Sequence, residues 1–380
     1  MNSMTSKQRI LAAMARGEVD RIPLSPRMSN VVGRYCRSGA VWAYKKFKNE
    51  RFDCDPMVNV AFPAPNPFME SDRLTYMKDV DVTLQSTHVP GEEYYHVTRI
   101  FRTPAGALSE KIMVPKPGAS GFSPQAHRVE HLIKSPDDLE RIRYLFPVLG
   151  KPGFTEYHHS VEEMGEDGLV LMNIPGPMDY WGGEAYPMES MMMDYYERPD
   201  FFDALLGLFA ANSIERVRVA LEHDVRHFFL VYFYPSISTG WSPKIIEEKF
   251  LPIVKQQTEM IHSCGGLVDY YDDGRIMDSA DIFIRAGVDV LETCSLPPVG
   301  DFDLVEARRR WGRQVTFKGI ADIVNVIWRG TPADIDRHVR DIVARNGDKQ
   351  ALILGTMDNI RPETSDENIA AYFRAANKYR

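Results

Sequence analysis

Leu267-Val268-Asp269-Tyr270-Tyr271-Asp272-Asp273-Gly274 is the stretch whose reading decides the fold. A short apolar and aromatic run is followed at once by acids and a glycine. That is how a buried strand passes into a turn that carries ionisable side chains. Seven other short runs share this layout, at residues 21–26, 57–62, 169–174, 226–234, 288–294, 315–320 and 352–355. Most alternate with helical patterns. Ser242-Pro243 and Thr331-Pro332 each begin one, and after the second Ile335, Val339, Ile342 and Val343 fall on one face. Thr364-Ser365-Asp366-Glu367 reads as a capping box for the last helix. Near-continuous apolar strands between helices point to a parallel sheet covered on its outer face. The expectation is an α/β chain forming one domain over residues 1–380, a (β/α)8 barrel.

Residues 63 to about 135 break the rhythm with prolines and turn dipeptides, and residues 96–102 alternate before Thr103-Pro104-Ala105-Gly106. This predicts a β-hairpin-rich insertion between the second and third strands. Ser135-Pro136-Asp137-Asp138 is then read as the capped start of a helix.

The net charge is −8 over 380 residues, and no Lys/Arg stripe interleaved with aromatics marks a nucleic-acid binder. No apolar run is long enough to span a membrane, and the first twenty residues lack the apolar centre of a secretory signal. The four cysteines, Cys36, Cys54, Cys264 and Cys294, form no CxxC pair, which suits a reducing cytoplasm. GxGxxG, GK[ST] and GxSxG motifs are all missing.

Chemistry then rests on what the strand ends present. Side chains two apart on a strand share a side, so Tyr271 and Asp273 belong together, with Asp269 beneath them. Paired acids at a barrel mouth suit acid–base work, cation binding or metal binding; the plainer alternative is a turn cap, which fits Asp272. Glu292 and Cys294 end the sixth run on one side, as catalytic groups or as a rim ion pair and core packing. Lys318 ends the seventh and needs an acid, whether for structure or for catalysis. Tyr232, Tyr234 and Trp241 after the fourth run, and Tyr180 with Trp181 after the third, wall a planar ligand or simply pack their loops. Met188, Met191, Met192 and Met193 read as adaptable packing. His262-Ser263-Cys264 lies at a helix end, where the imidazole complements the dipole and the thiol is expected to be buried.

Several ordered segments resemble the superfamily of uroporphyrinogen decarboxylase and the corrinoid-dependent methyltransferases. They include Ser6-Lys-Gln-Arg-Ile-Leu-Ala-Ala-Met14 with Asp20-Arg-Ile-Pro23, Arg102-Thr-Pro-Ala-Gly-Ala-Leu108, Ala286-Gly-Val-Asp-Val-Leu-Glu292, Phe317-Lys-Gly-Ile-Ala-Asp322 and Pro362-Glu-Thr-Ser-Asp-Glu-Asn-Ile369. The decarboxylases of that superfamily carry paired arginines after the first strand, for which Arg27 and Arg34 are the counterparts. Their Phe-Ser-Asp motif has no match here, and their late histidine falls on Thr356. The zinc methyltransferases place His-x-Cys-Gly where this chain has Tyr271-Asp272-Asp273-Gly274, and a late cysteine where it has Thr356. The resemblance therefore implies a barrel methyltransferase without a thiolate-zinc site and with no tightly bound cofactor. Such an enzyme takes a methyl group from a small ether or amine and gives it to a corrinoid protein that carries the cobalamin. Asp273 and Glu292 are the candidate acids, and Arg27, Arg34, Tyr232, Tyr234, Tyr271, Cys294, Lys318 and Thr356 the candidate substrate-binding residues. A homodimer is implied at the family level. The alternatives are decarboxylation of a carboxylated aromatic or tetrapyrrole, and a non-catalytic corrinoid- or tetrapyrrole-binding barrel.

Overall fold

The computed structural model describes residues 3–64, 79–119, 126–149, 153–179 and 183–380. Tyr180 and Trp181 lie outside them. The chain divides into two compact units, one of residues 1–62, 153–174 and 217–380, the other of residues 63–152 and 175–216.

The first unit is built on a seven-stranded sheet. Its strands are β1 (Met57–Ala61), β6 (Leu169–Pro175), β7 (His227–Val231), β8 (Leu267–Tyr271), β9 (Val290–Glu292), β10 (Thr316–Lys318) and β11 (Leu352–Ile353), adjacent in that order. The pairings from β7 to β11 are parallel, as is β1 with β6. Helices Leu251–Ser263, Ala280–Arg285, Leu304–Trp311, Pro332–Asn346 and Asp366–Tyr379 alternate with these strands or follow them. The second unit contains the four-stranded antiparallel meander β2 (Asp81–His88), β3 (Tyr94–Thr103), β4 (Gly106–Pro115) and β5 (His127–Glu130). This is the expected hairpin-rich segment, grown to four strands.

Eight strands were expected, and among the described residues seven form the parallel sheet. The missing one is the first run, residues 21–26, which contributes an isolated parallel bridge, Leu24 with Leu354. Toward β1 the Leu24 carbonyl accepts the Asp55 N–H at 2.7 Å, and side chains take the neighbouring N–H groups. The Leu24 N–H donates to the Asp55 carboxylate at 3.0 Å, and the Met57 N–H donates to the Ser25 hydroxyl at 3.2 Å. Pro23 and Pro26 have no N–H to give, so a regular strand cannot extend through them. Asp55 is fully buried and also accepts from Ser6, Arg9 and Arg380, tying both chain ends to this point.

The helix starts follow local chemistry. Thr5 forms a capping box with Gln8 on helix Ser6–Met14, and Thr331 forms one with Asp334 on helix Pro332–Asn346. Ser365, rather than Thr364, caps the last helix. Ser135 does not cap; instead the Asp138 carboxylate accepts the N–H groups of Lys134 and Ser135, and the helix runs from Asp138 to Ile142. Gly266 is required where β8 begins, because a Cβ there would sit 2.2 Å from the Arg226 carbonyl oxygen. No helix among the described residues is long and apolar enough to cross a membrane.

His262 does more than face a helix dipole. Its Nε2 lies 2.9 Å from Asp289 Oδ2, and Arg16 holds the other carboxylate oxygen at 3.1 Å. Cys264, expected to be buried, is exposed. The hydrogen bond to Asp289 raises the His262 pKa, while burial opposes the rise. A raised histidine stabilises the fold fully below its unfolded pKa of about 6.5, and that contribution is lost as pH rises through the folded value. The effect is modest because the imidazole is 38% exposed. The difference in melting temperature between the protein and its His262→Ala variant should therefore shrink between about pH 6 and about pH 9. A difference that does not vary with pH would show that the imidazolium charge contributes nothing.

Candidate functional site

The C-terminal ends of β8, β9 and β10 bring the ionisable residues of the first unit together. In register, Asp269 pairs with Phe229 and Val290, and Tyr271 pairs with Val231 and Glu292. Asp269, Tyr271 and Glu292 therefore share one side of the sheet. Lys318 joins them from β10, its Nζ lying 2.9 Å from Asp269 Oδ2 and 2.9 Å from Glu292 Oε2. All three are buried. The expected partner for the Lys318 charge is thus a pair of acids, one on each of two strands.

Two carboxylates around one ammonium do not both ionise easily away from water. Burial pushes the Asp269 carboxyl up to about 8; Lys318 opposes the rise and the Glu292 charge adds to it. Burial acts on Glu292 too, but Lys318 and then Arg27 outweigh it and hold that carboxyl below its usual range. Burial would likewise lower Lys318, yet the two acids keep it above its ordinary value. The proton the two carboxyls compete for is therefore drawn toward Asp269, while Lys318 and Arg27 favour the ionised form of Glu292.

Above this triad lies Arg27. Its guanidinium is 4.5 Å from the Tyr271 ring centroid and 5.6 Å from that of Phe229, within cation–π range. Its Nε is 4.0 Å from Glu292 and 3.9 Å from Asp358. Thr356 positions the residue by accepting the Arg27 backbone N–H at 3.0 Å. The Arg27 Nη1 is buried and has no hydrogen-bond partner among the described residues. The Tyr271 hydroxyl donates to Asp273 at 3.1 Å. Burial raises the Asp273 pKa and the Asp358 charge adds to it, while the Tyr271 hydrogen bond and Arg27 oppose. Thr293, just after β9, has a φ of 60°. A β-branched residue there stores backbone strain, which often accompanies functional turns.

Three of the expected substrate-binding residues are placed elsewhere or committed to other partners. Tyr232 stacks on Tyr270 at 5.3 Å and donates its hydroxyl to Gln257 at 2.7 Å, so it packs against the helix layer. Strand alternation is the reason, because Tyr232 and Tyr270 fall on the opposite side from Phe229 and Tyr271. Cys294 does not continue the Glu292 side, since the positive φ of Thr293 interrupts the alternation. Its thiol is buried and donates to the Leu291 carbonyl at 3.4 Å, and burial raises its pKa well above the usual range. Arg34 is held by the Thr364 carbonyl and Asp366, each at 2.9 Å, so it does not pair with Arg27. Tyr234 lies beside Phe233, whose ring meets Tyr271 edge-on at 6.4 Å. Sequence reasoning missed Phe229, hidden inside a continuous apolar run, and Asp358, whose only signal is its place after the last strand. Among the described residues no group of three or more His, Cys, Asp or Glu side chains is placed to hold a metal ion.

The sequence profile of uroporphyrinogen decarboxylase (URO-D) matches residues 161–379, more than half of the chain. The chain belongs to the URO-D family. Asp269, Asp273, Glu292, Lys318 and Thr356 lie inside the matched span, and Arg27 and Arg34 precede it. Among solved structures, a methyltransferase from Methanosarcina mazei superposes with a TM-score of 0.64 at 13% identity, covering 99% of each chain. At that identity the likeness shows the fold alone. A B12-independent methionine synthase from Shewanella sp. W3-18-1 is similar over 94% of this chain and 96% of its own, at 11% identity and a TM-score of 0.45. That similarity is too distant to carry an argument. No curated protein matches the chain.

Proposed function

We propose that this URO-D family member is a methyltransferase that moves a methyl group from a small methylated ether or amine to a corrinoid protein. The supporting observation is the raised carboxyl of Asp273, hydrogen-bonded to Tyr271 beside the Arg27 guanidinium. Breaking a carbon–oxygen or carbon–nitrogen bond needs a proton on the departing heteroatom as the methyl group leaves for the acceptor. A carboxyl that keeps its proton at higher pH can supply it. Glu292, the other candidate acid, is held ionised by Lys318 and Arg27, and is better suited to positioning that guanidinium. In this reading the cobalamin belongs to the partner protein and this chain holds no cofactor tightly. The reaction takes place in the cytoplasm, on a homodimer.

A second reading draws on Arg27. A buried guanidinium nitrogen without a partner among the described residues favours a substrate carboxylate, as in decarboxylation of a carboxylated aromatic or tetrapyrrole. The two readings separate when the protein is incubated with a reduced corrinoid protein and methylated ethers and amines, and in parallel with carboxylated aromatics and tetrapyrroles. Methyl transfer, followed in the corrinoid spectrum, is the expected result. Release of carbon dioxide without methyl transfer would replace the first reading with the second. Binding without turnover in either arm would overturn both in favour of a non-catalytic barrel.

A further inference from the structure

The first unit contains a cavity of about 430 Å³, within the size range of small-molecule sites. The loop after β9, Ile320 after β10 and the helix Pro332–Asn346 form its walls. Leu296, Phe302, Leu304, Ile320 and Ile342 make most of the lining apolar, and none of the lining residues belongs to the Arg27, Tyr271 and Asp273 cluster.

Three aspartates, Asp301, Asp303 and Asp341, also line it, with two further polar groups seven residues apart on one face of that helix, His338 and Arg345. The His338 Nε2 accepts the Asp322 backbone N–H at 3.1 Å. Burial lowers the His338 pKa, so the ring is neutral and its one proton sits on Nδ1. That N–H has no protein acceptor among the described residues, and Arg345 makes no ion pair among them. The acids of the lining are each engaged. Asp301 accepts the Ile276 and Met277 N–H groups and lies 3.7 Å from Arg275. Asp303 caps the helix Leu304–Trp311, and Asp341 accepts twice from Arg340. What the cavity offers a ligand is therefore an apolar body site, one neutral N–H donor and one uncommitted cation.

We infer that this cavity binds a small monocarboxylate with an apolar body, its carboxylate meeting the His338 Nδ1–H and the Arg345 guanidinium while its hydrocarbon part rests on Phe302, Ile320 and Ile342. A carboxylate takes charge-assisted hydrogen bonds from donors of these two kinds.

Titration of the full-length protein with benzoate, benzylamine and benzyl alcohol, followed through isoleucine methyl signals, tests this. Benzoate should shift Ile320 and Ile342 saturably, with the amine and the alcohol at least about tenfold weaker. The Arg345→Gln change alters only an exposed side chain and should weaken benzoate about tenfold, whereas Arg27→Gln should leave these shifts in place. Preference for benzylamine would show that the acids, not Arg345, govern the cavity and would overturn the proposal. So would benzoate shifts that vanish with Arg27→Gln, equal binding by the Arg345 variant, or no saturable shift at Ile320 and Ile342.

Discussion

Under the proposed methyl transfer, Asp273→Asn should lower kcat/KM by about 10²- to 10⁴-fold, the range a positioned general acid contributes. The melting temperature stays close to that of the parent, because asparagine still accepts the Tyr271 hydroxyl and places no new charge beside Asp358 and Glu292. The pH profile gives an independent check. The Asp273 carboxyl sits above the ordinary aspartate value through burial and the Asp358 charge. Activity should be retained below that raised pKa and fall as pH rises through it, since an acid must hold its proton to give it away. Asp358→Asn removes one cause of the rise, so the falling limb should move to lower pH while maximal kcat changes less. Steady-state kinetics across pH for the three proteins decides the matter. An Asp273→Asn enzyme with parental kcat/KM, or a falling limb that ignores Asp358, would remove Asp273 from the reaction.

Lys318→Met has the largest expected effect on stability. Methionine matches much of the side-chain volume, so packing is nearly kept and the change isolates the charge. It leaves Asp269 and Glu292 facing each other in a buried site, and removing one partner of a buried ion group costs about 3–5 kcal/mol. The sign differs for the paired variant. Lys318→Met combined with Glu292→Gln leaves Asp269 as the sole acid of the triad, and burial already favours its protonated form. The double variant should therefore recover part of the loss, and that recovery is the coupling term a double-mutant cycle isolates. Denaturant unfolding of the four proteins measures it. Additive losses would mean that the three side chains do not act as one electrostatic group.

Period and punctuation carried much of the architecture. Seven of the eight apolar runs became strands of one parallel sheet, because a strand covered by helices must be apolar nearly throughout. Thr331-Pro332 and Ser242-Pro243 mark helix starts, as cap chemistry requires. The run at residues 21–26 looked equally strand-like, yet the Leu24 and Met57 N–H groups went to the Asp55 and Ser25 side chains. Local pattern does not reveal which polar side chain will arrive from a distant segment to take a backbone N–H.

The same division runs through the candidate site. That Asp269, Tyr271 and Asp273 share a side follows from the two-residue repeat of a strand, and that Lys318 needs an acid follows from the cost of burying a lone charge. That Tyr232, expected beside Tyr271, lies on the opposite side needed the register between β7 and β8. What only the tertiary structure decided is which charges meet. Arg27 reaches Tyr271 across more than two hundred residues while Arg34, on the same stretch, turns to Asp366. The Asp269 carboxyl is pushed up and that of Glu292 is held down, although both are buried beside the same lysine. Proton affinity depends on the distances to every neighbouring charge and on the water each group has lost, and both are set by the packing of strands far apart in the chain.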